Sequence, residues 1–223
     1  IFQPQWSPDG VLYFVSDRTN WWNLYRLWDG DVEPLTTLEA EFGQPQWVFR
    51  MSTYDFASAD RIICSYTKGG AWRLASLDPQ TRQLTPLDVP YTEISNLRAA
   101  PDRAVFRGGS PGEPRSIVQL DLDTGTTEVL RRSSDISVDE AYLSRPQAID
   151  FPTAAGWQAH GFFYPPRNPE ASGPPDQAPP LLVISHGGPT GATTSTLNLS
   201  IQYWTTRGIA VVDVNYRGSV GYG

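Results

Sequence analysis

The tetrapeptide Gln3-Pro4-Gln5-Trp6 returns as Gln44-Pro45-Gln46-Trp47, 41 residues later, and Ser7-Pro8-Asp9 is echoed by Ala100-Pro101-Asp102 at an offset of 93 residues. Self-similarity at a fixed spacing constrains a chain more than any single strand signal, because each copy must fold into a unit that stacks on its neighbour. Between the copies lie short stretches rich in β-branched and aromatic residues, at 11–16, 23–28, 61–66, 72–77, 104–107 and 117–122. They are separated by Pro8-Asp9-Gly10, Asp29-Gly30-Asp31, Asp78-Pro79-Gln80 and Asp123-Thr124-Gly125, which carry the residues that tight turns require. A unit of about 40 to 45 residues holding about four antiparallel strands is the signature of a β-propeller blade. Residues 1–140 are therefore read as the C-terminal blades of a propeller. About three blades are expected where closed rings have about four to eight, so the ring is expected to be incomplete on its N-terminal side.

From about Tyr142 the pattern changes. Stretches 148–151 and 158–164 flank Pro152 and Gly156 and read as a hairpin, followed by a loop with seven prolines between Pro165 and Pro180. Residues 181–185 form a continuous apolar run. After it come His186-Gly187-Gly188-Pro189, then Leu197, Ile201 and Trp204 at helical spacing, a stop at Gly208, and a second apolar run at 209–214. Spacings of four and three place those three side chains on one helical face, and a glycine just past the end is a common helix stop. Strand, helix, strand with buried-type apolar runs predicts parallel pairing, hence an α/β sheet over 141–223.

Composition sets the outer limits. Eight Trp, ten Tyr and nine Phe in 223 residues, 39% hydrophobic overall against 18% charged, supply enough apolar material for a sizeable core and argue against disorder. A formal charge of −7 and a pI near 4.8 oppose binding to polyanions, and no basic run interleaved with aromatics offers a nucleic-acid footprint. No stretch reaches the roughly 20 apolar residues of a membrane helix. The single cysteine, Cys64, lies in an apolar run and reads as a small buried hydrophobe; with no internal disulfide available, a reducing, cytoplasmic setting is expected. The chain opens on Ile1-Phe2-Gln3, so the native N-terminus, with any leader, is expected upstream. Homo-oligomerisation is left open.

The chemistry gathers at His186-Gly187-Gly188-Pro189, directly after a buried strand and before a helix. Acyl transfer needs hydrogen-bond donors aimed at the oxyanion of a tetrahedral intermediate, and glycines let a backbone N–H approach a substrate without a side chain intervening. Taken alone, the tripeptide His-Gly-Gly also suits a plain strand-to-helix turn.

The order of motifs narrows this. Blade-like repeats precede Ile149-Asp150-Phe151, then Leu182-Val183-Ile184-Ser185-His186-Gly187-Gly188-Pro189, then Arg207-Gly208-Ile209-Ala210-Val211-Val212, then Asn215-Tyr216-Arg217-Gly218-Ser219 and Gly221-Tyr222-Gly223. Across essentially its whole length the chain resembles the acylaminoacyl-peptidase and dipeptidyl-aminopeptidase branch of the prolyl oligopeptidase family of serine peptidases. That resemblance implies a partial propeller followed by the N-terminal part of an α/β-hydrolase domain, short peptide substrates and no cofactor. It implies that the Gly188 N–H is one oxyanion donor, that His186 and Gly187 shape and line the loop, and that Arg217 either faces the site or only ties its own loop down. In this family the nucleophile follows in a Gly-x-Ser-x-Gly elbow after a later strand, with acid and base later still; none of the three is expected within these 223 residues.

One letter match competes. Gly108-Gly109-Ser110-Pro111-Gly112 fits Gly-x-Ser-x-Gly, and Ser110, Asp150 and His160 or His186 follow in hydrolase order. The match fails on physical grounds, since the residue after the nucleophile must give its N–H to the oxyanion and Pro111 has none. Ser110 is read as a hairpin turn and His160 as a structural side chain. Trp21 and Trp22 are read as blade packing, with a binding platform as the other option. Two histidines and one cysteine at no recognisable spacing make no metal site. Two other functions stay open from sequence: a carboxylesterase with the same oxyanion loop, which the repeats disfavour, and a TolB-like propeller that binds proteins, which leaves the His-Gly-Gly segment unexplained.

Overall fold

The computed structural model describes residues 1–223 except Gln46, Val48, Pro189 and Gly223. Three antiparallel meander sheets come first. The first holds β1 (Phe2–Trp6), β2 (Leu12–Ser16), β3 (Asn23–Trp28) and β4 (Asp31–Pro34); the second β5 (Tyr54–Ser58), β6 (Arg61–Lys68), β7 (Ala71–Leu77) and β8 (Leu84–Leu87); the third β9 (Glu93–Ala100), β10 (Arg103–Ser110), β11 (Glu113–Asp121) and β12 (Thr127–Arg132). Each strand pairs with the next in sequence, as turns such as Asp29-Gly30, with φ of +51° and +88°, require.

The first strands of the sheets lie side by side and are stitched by side chains. Gln3 donates to the Tyr54 carbonyl at 2.7 Å, Gln5 to the Asp55 carboxylate at 2.7 Å, and the other Asp55 oxygen accepts the Ala99 N–H at 3.0 Å. Two apolar clusters lie between the sheets. One joins the first two sheets through Tyr13, Val15, Leu24, Tyr54 and Ile62; the other joins the second and third through Ile63, Leu74, Ile94 and Phe106. All these side chains are buried, so truncating one of the aliphatics to Ala costs about 2–5 kcal/mol. Trp22 packs against the first cluster and its N–H donates to the buried Glu41 carboxylate at 3.0 Å, which fits the packing reading.

The repeat that organised the sequence reading is unevenly realised. Gln3-Pro4-Gln5-Trp6 lies in β1, whereas Gln44, Pro45 and Trp47 lie in the connection ahead of β5, and Gln46 is outside the described residues. The identity between the two tetrapeptides is therefore not a structural equivalence. The echo between Ser7-Pro8-Asp9 and Ala100-Pro101-Asp102 is one, because Pro8-Asp9 and Pro101-Asp102 both lie in the turn between the first and second strands of a sheet, with Ala100 ending β9.

The fourth sheet is mixed: β13 (Gln147–Pro152), β14 (Gln158–Tyr164), β15 (Leu181–Ser185) and β16 (Ala210–Asn215), in spatial order β13-β14-β16-β15. β13 and β14 form a hairpin around a 3-10 turn at Ala154–Gly156, while β15 and β16 are parallel, with Ser185 opposite Val214, and are joined through α1 (Leu199–Thr205). The helical face differs from expectation. The Asn198 side chain caps the helix by accepting from Ser200 and Ile201 N–H, leaving Leu197 outside it. Ile201, Gln202 and Thr205 face inward, and Trp204 is 39% exposed. A polar residue wins the buried face because Gln202 is fully used: its amide donates to the Ser144 carbonyl at 3.0 Å and accepts the Ser144 N–H at 2.8 Å. Gly208, at φ +84°, ends the element as expected. The proline-rich loop is tied to this helix, Arg167 N–H to the Thr205 carbonyl and Asn168 to that of Thr206. Among the described residues no helix is long and apolar enough to cross a membrane.

Candidate active site

Parallel strands β15 and β16 end together, and in open sheets the crevice beyond their carboxyl ends is where ligands bind. Residues 186–188 leave β15 there and 216–222 leave β16. His186 stacks on Tyr216, ring centroids 4.3 Å apart and 23° from parallel, and its Nε2 lies 2.7 Å from Ser219 Oγ. Ser219 in turn donates to the Tyr216 carbonyl at 2.6 Å. The Tyr216 hydroxyl lies 3.2 Å from His186 Nδ1 and donates to the Gly188 carbonyl. The two loops are thus locked by side chains near 186 and 216.

Gly188 is exposed and sits at φ +79°, a conformation that strains any residue with a Cβ. With its carbonyl held by Tyr216, its N–H has no acceptor among the described residues. No atom comes within 4 Å of a Cβ built on Gly187, so that side of the loop is open. Pro189, the last residue of the motif, lies outside the described residues.

The loop then returns to the meander sheets. Trp47 donates through its indole to the Thr190 carbonyl at 3.3 Å, Ser195 hydrogen-bonds Thr92 at 2.8 Å, and Leu197 N–H donates to the Ser110 carbonyl at 2.8 Å. Thr193 donates its N–H to Asn215 and its hydroxyl to Asp213. Burial pushes the Asp213 carboxyl above the usual range, opposed by that hydroxyl and by His186.

Arg217 does not turn to His186 or Gly188. Its guanidinium stacks 3.6 Å from the centre of the Trp157 ring, in the β13–β14 turn. Ser110 ends β10 and pairs with Glu113 across a turn holding Pro111 and Gly112, and no hydrogen bond links it to either histidine. His160 instead faces Asp150 across the hairpin register, Nδ1 to Oδ1 2.6 Å, and stacks on Tyr222 at 4.2 Å and 12°. Sequence reasoning missed the roles of Tyr216, Ser219 and Tyr222. The Asp150–His160 pair was within reach, since a hairpin of 148–151 with 158–164 closing around 152–156 sets those two residues opposite each other. Among the described residues, no group of three or more His, Cys, Asp or Glu side chains could hold a metal.

No family model matches the chain. Among solved structures it superposes with a TM-score of 0.93 and 39% identity on a Mycobacterium tuberculosis puromycin-hydrolyzing peptidase, over 100% of this chain and 34% of that one. It is 28% identical over 140 residues to the uncharacterized peptidase YuxL of Bacillus subtilis (62% of this chain, 20% of the relative), and 27% identical over 156 residues to the acylamino-acid-releasing enzyme of Homo sapiens (70% and 19%). The chain thus spans about a third of the structural relative and about a fifth of the curated ones. Its sheet-rich architecture matches the propeller of these peptidases. Over its whole length the chain is similar to part of the peptidases of the prolyl oligopeptidase family.

Proposed function

We propose that this chain is part of a serine-type oligopeptidase that hydrolyses peptide or acylaminoacyl bonds of short peptides. In this reading residues 1–140 are the C-terminal blades of a propeller that restricts access, and 141–223 open an α/β-hydrolase domain. The Gly188 N–H is one of its oxyanion donors. The nucleophilic serine, its acid and its base are supplied from outside these residues. When the serine, its proton taken by the base, attacks the scissile carbonyl, the developing oxyanion accepts from the Gly188 N–H; collapse expels the amine with that proton, and water then hydrolyses the acyl-enzyme. His186 acts on the loop rather than on substrate, because its ring is committed to Tyr216 and Ser219.

The observation that carries the reading is the asymmetry at Gly188. Its carbonyl is pinned by Tyr216 while its N–H is left without an acceptor at the open end of the sheet, the arrangement a preorganised donor needs. The test is steady-state kinetics of the full-length protein on a peptide p-nitroanilide and on a p-nitrophenyl ester. Gly188→Ala, which forces the strained loop to move, is expected to lower kcat on the peptide by about 10²–10³ with little change in KM. Unchanged kcat removes Gly188 from the site. Hydrolysis of the ester with none of the peptide replaces the peptidase by an esterase.

A further inference from the structure

A cavity of about 280 Å³ opens where the second and third sheets meet residues 191–194, the continuation of the loop that carries Gly188. Most of its wall is apolar, with Trp47, Trp72, Met51 and Ile94 contributing. Two charged side chains line it, Glu93 and Arg107. They are not equivalent. Glu93 is buried and already served, taking both oxygens to Arg115 Nε at 2.7 and 2.9 Å and accepting the Thr196 hydroxyl at 2.6 Å. Arg107 gives its Nε–H to Ser95 at 3.0 Å, and its nearest approach to Glu93 is 3.9 Å, beyond hydrogen-bond distance. Four of its five N–H groups therefore lack an acceptor among the described residues. Glu93 is thus shared between Arg115, which it hydrogen-bonds, and the half-exposed Arg107, which it only approaches, so the three groups carry one net positive charge in a protein whose formal charge is −7.

From this geometry we infer that the cavity receives the C-terminal residue of a short peptide, with the free α-carboxylate on Arg107 and an apolar or aromatic side chain against Trp72 and Met51. A planar guanidinium with free donors matches a carboxylate in bidentate fashion. The apolar surroundings require that this carboxylate be carried on an apolar residue. A C-terminal residue carries chain on one side only, whereas an Asp or Glu within a peptide carries it on both, more than a cavity of about 280 Å³ admits. The volume lies at the lower limit of the ~300–1,000 Å³ usual for ligand pockets, so it admits the end of a peptide and not a folded chain. The inference rests on the peptidase reading only for the identity of the ligand as a peptide.

The experiment is calorimetric titration of the intact protein with N-acetylphenylalanine and with N-acetylphenylalaninamide, each against the unaltered protein, Arg107→Met and Arg107→Lys. The free acid is expected to bind at least about tenfold more tightly than the amide. Arg107→Met should erase that preference while leaving amide affinity in place, which also certifies the fold, and Arg107→Lys should keep part of it. Equal binding of acid and amide by the unaltered protein overturns the inference whatever the variants do, as does a preference that survives Arg107→Met. Preference for N-acetylaspartate α-amide over N-acetylphenylalanine overturns the assignment to a chain terminus. Peptide hydrolysis is measured in parallel: hydrolysis without acid preference removes this site and leaves the peptidase reading. Acid preference without hydrolysis supports the site and removes that reading.

Discussion

Ser219 Oγ and His186 Nε2 stand 2.7 Å apart, the separation of a nucleophile and its base, with the proton flow reversed. Ser219 spends its hydrogen on the Tyr216 carbonyl at 2.6 Å, so its oxygen can only accept from the imidazole. His186 Nε2 therefore carries a hydrogen, while Nδ1 lies 3.2 Å from the Tyr216 hydroxyl and 3.3 Å from the Gly187 carbonyl. The pair is a brace between the loops after β15 and β16.

Removing one member of that brace should cost stability. Ser219→Ala deletes an acceptor and leaves the His186 N–H without a partner in a part-buried place, so the protein is expected to lose about 1–3 kcal/mol. Urea denaturation should show a lower midpoint with an unchanged slope. An unaltered midpoint would mean that the Tyr216 stack alone orders the loop.

Glu41 gives a pH-dependent prediction. Its carboxylate is buried with the Trp22 N–H as its hydrogen-bond partner, and burial, reinforced by Asp17, raises its pKa while that N–H lowers it. With the folded pKa above the unfolded one, the native state binds the proton first as pH falls. Stability therefore rises on acidification through that window and is penalised above it. Glu41→Gln keeps an acceptor for Trp22 and removes the charge. It should raise the thermal midpoint at pH 7, and the gain should shrink to nothing below the ordinary carboxylate range. A gain independent of pH would point to packing in place of ionisation.

Much of this was legible in the chain, for reasons that show where legibility stops. Turn residues and strand-length apolar runs mark local geometry, so the stretches at 23–28, 72–77 and 181–185 coincide with β3, β7 and β15 apart from end residues. The helical face was misjudged because periodicity weighs only hydrophobicity. It favours Trp204 over Gln202, whose burial depends on Ser144, 58 residues away. The His-Gly-Gly loop was visible because glycine at positive φ is a local demand. Tyr216 and Ser219 were not, because they reach His186 only through the parallel register of β15 and β16.

Cys64 tests burial directly. It is fully buried, its thiol 3.6 Å from the Ala75 carbonyl, and burial pushes its pKa up to about 12. Thiolate is the reactive form, so the folded protein at pH 8 should resist Ellman's reagent and react fully in guanidinium chloride. Rapid labelling of the native state would show that the cluster between the first two sheets opens readily.

The last prediction concerns residues 1–223 on their own: they should neither hydrolyse a chromogenic peptide nor take a fluorophosphonate label. Two serines come nearest to the requirements. Ser110 is followed by Pro111, which has no N–H to offer an oxyanion, and it lies at a hairpin turn with no imidazole bonded to it. Ser219 has an imidazole at hydrogen-bond distance, but it is 3% exposed and its hydrogen is committed to a backbone carbonyl. The Asp150–His160 pair has the carboxylate–imidazole geometry of a base, with no serine hydrogen-bonded to it among the described residues. A fluorophosphonate needs a serine oxygen that is accessible and deprotonated by a neighbouring base in one place, and these residues divide those properties among three places. Mass spectrometry of the probe-treated polypeptide should find no adduct. Stoichiometric modification of Ser110 or Ser219 would place a nucleophile inside these residues and overturn the assignment of the catalytic serine to sequence outside them.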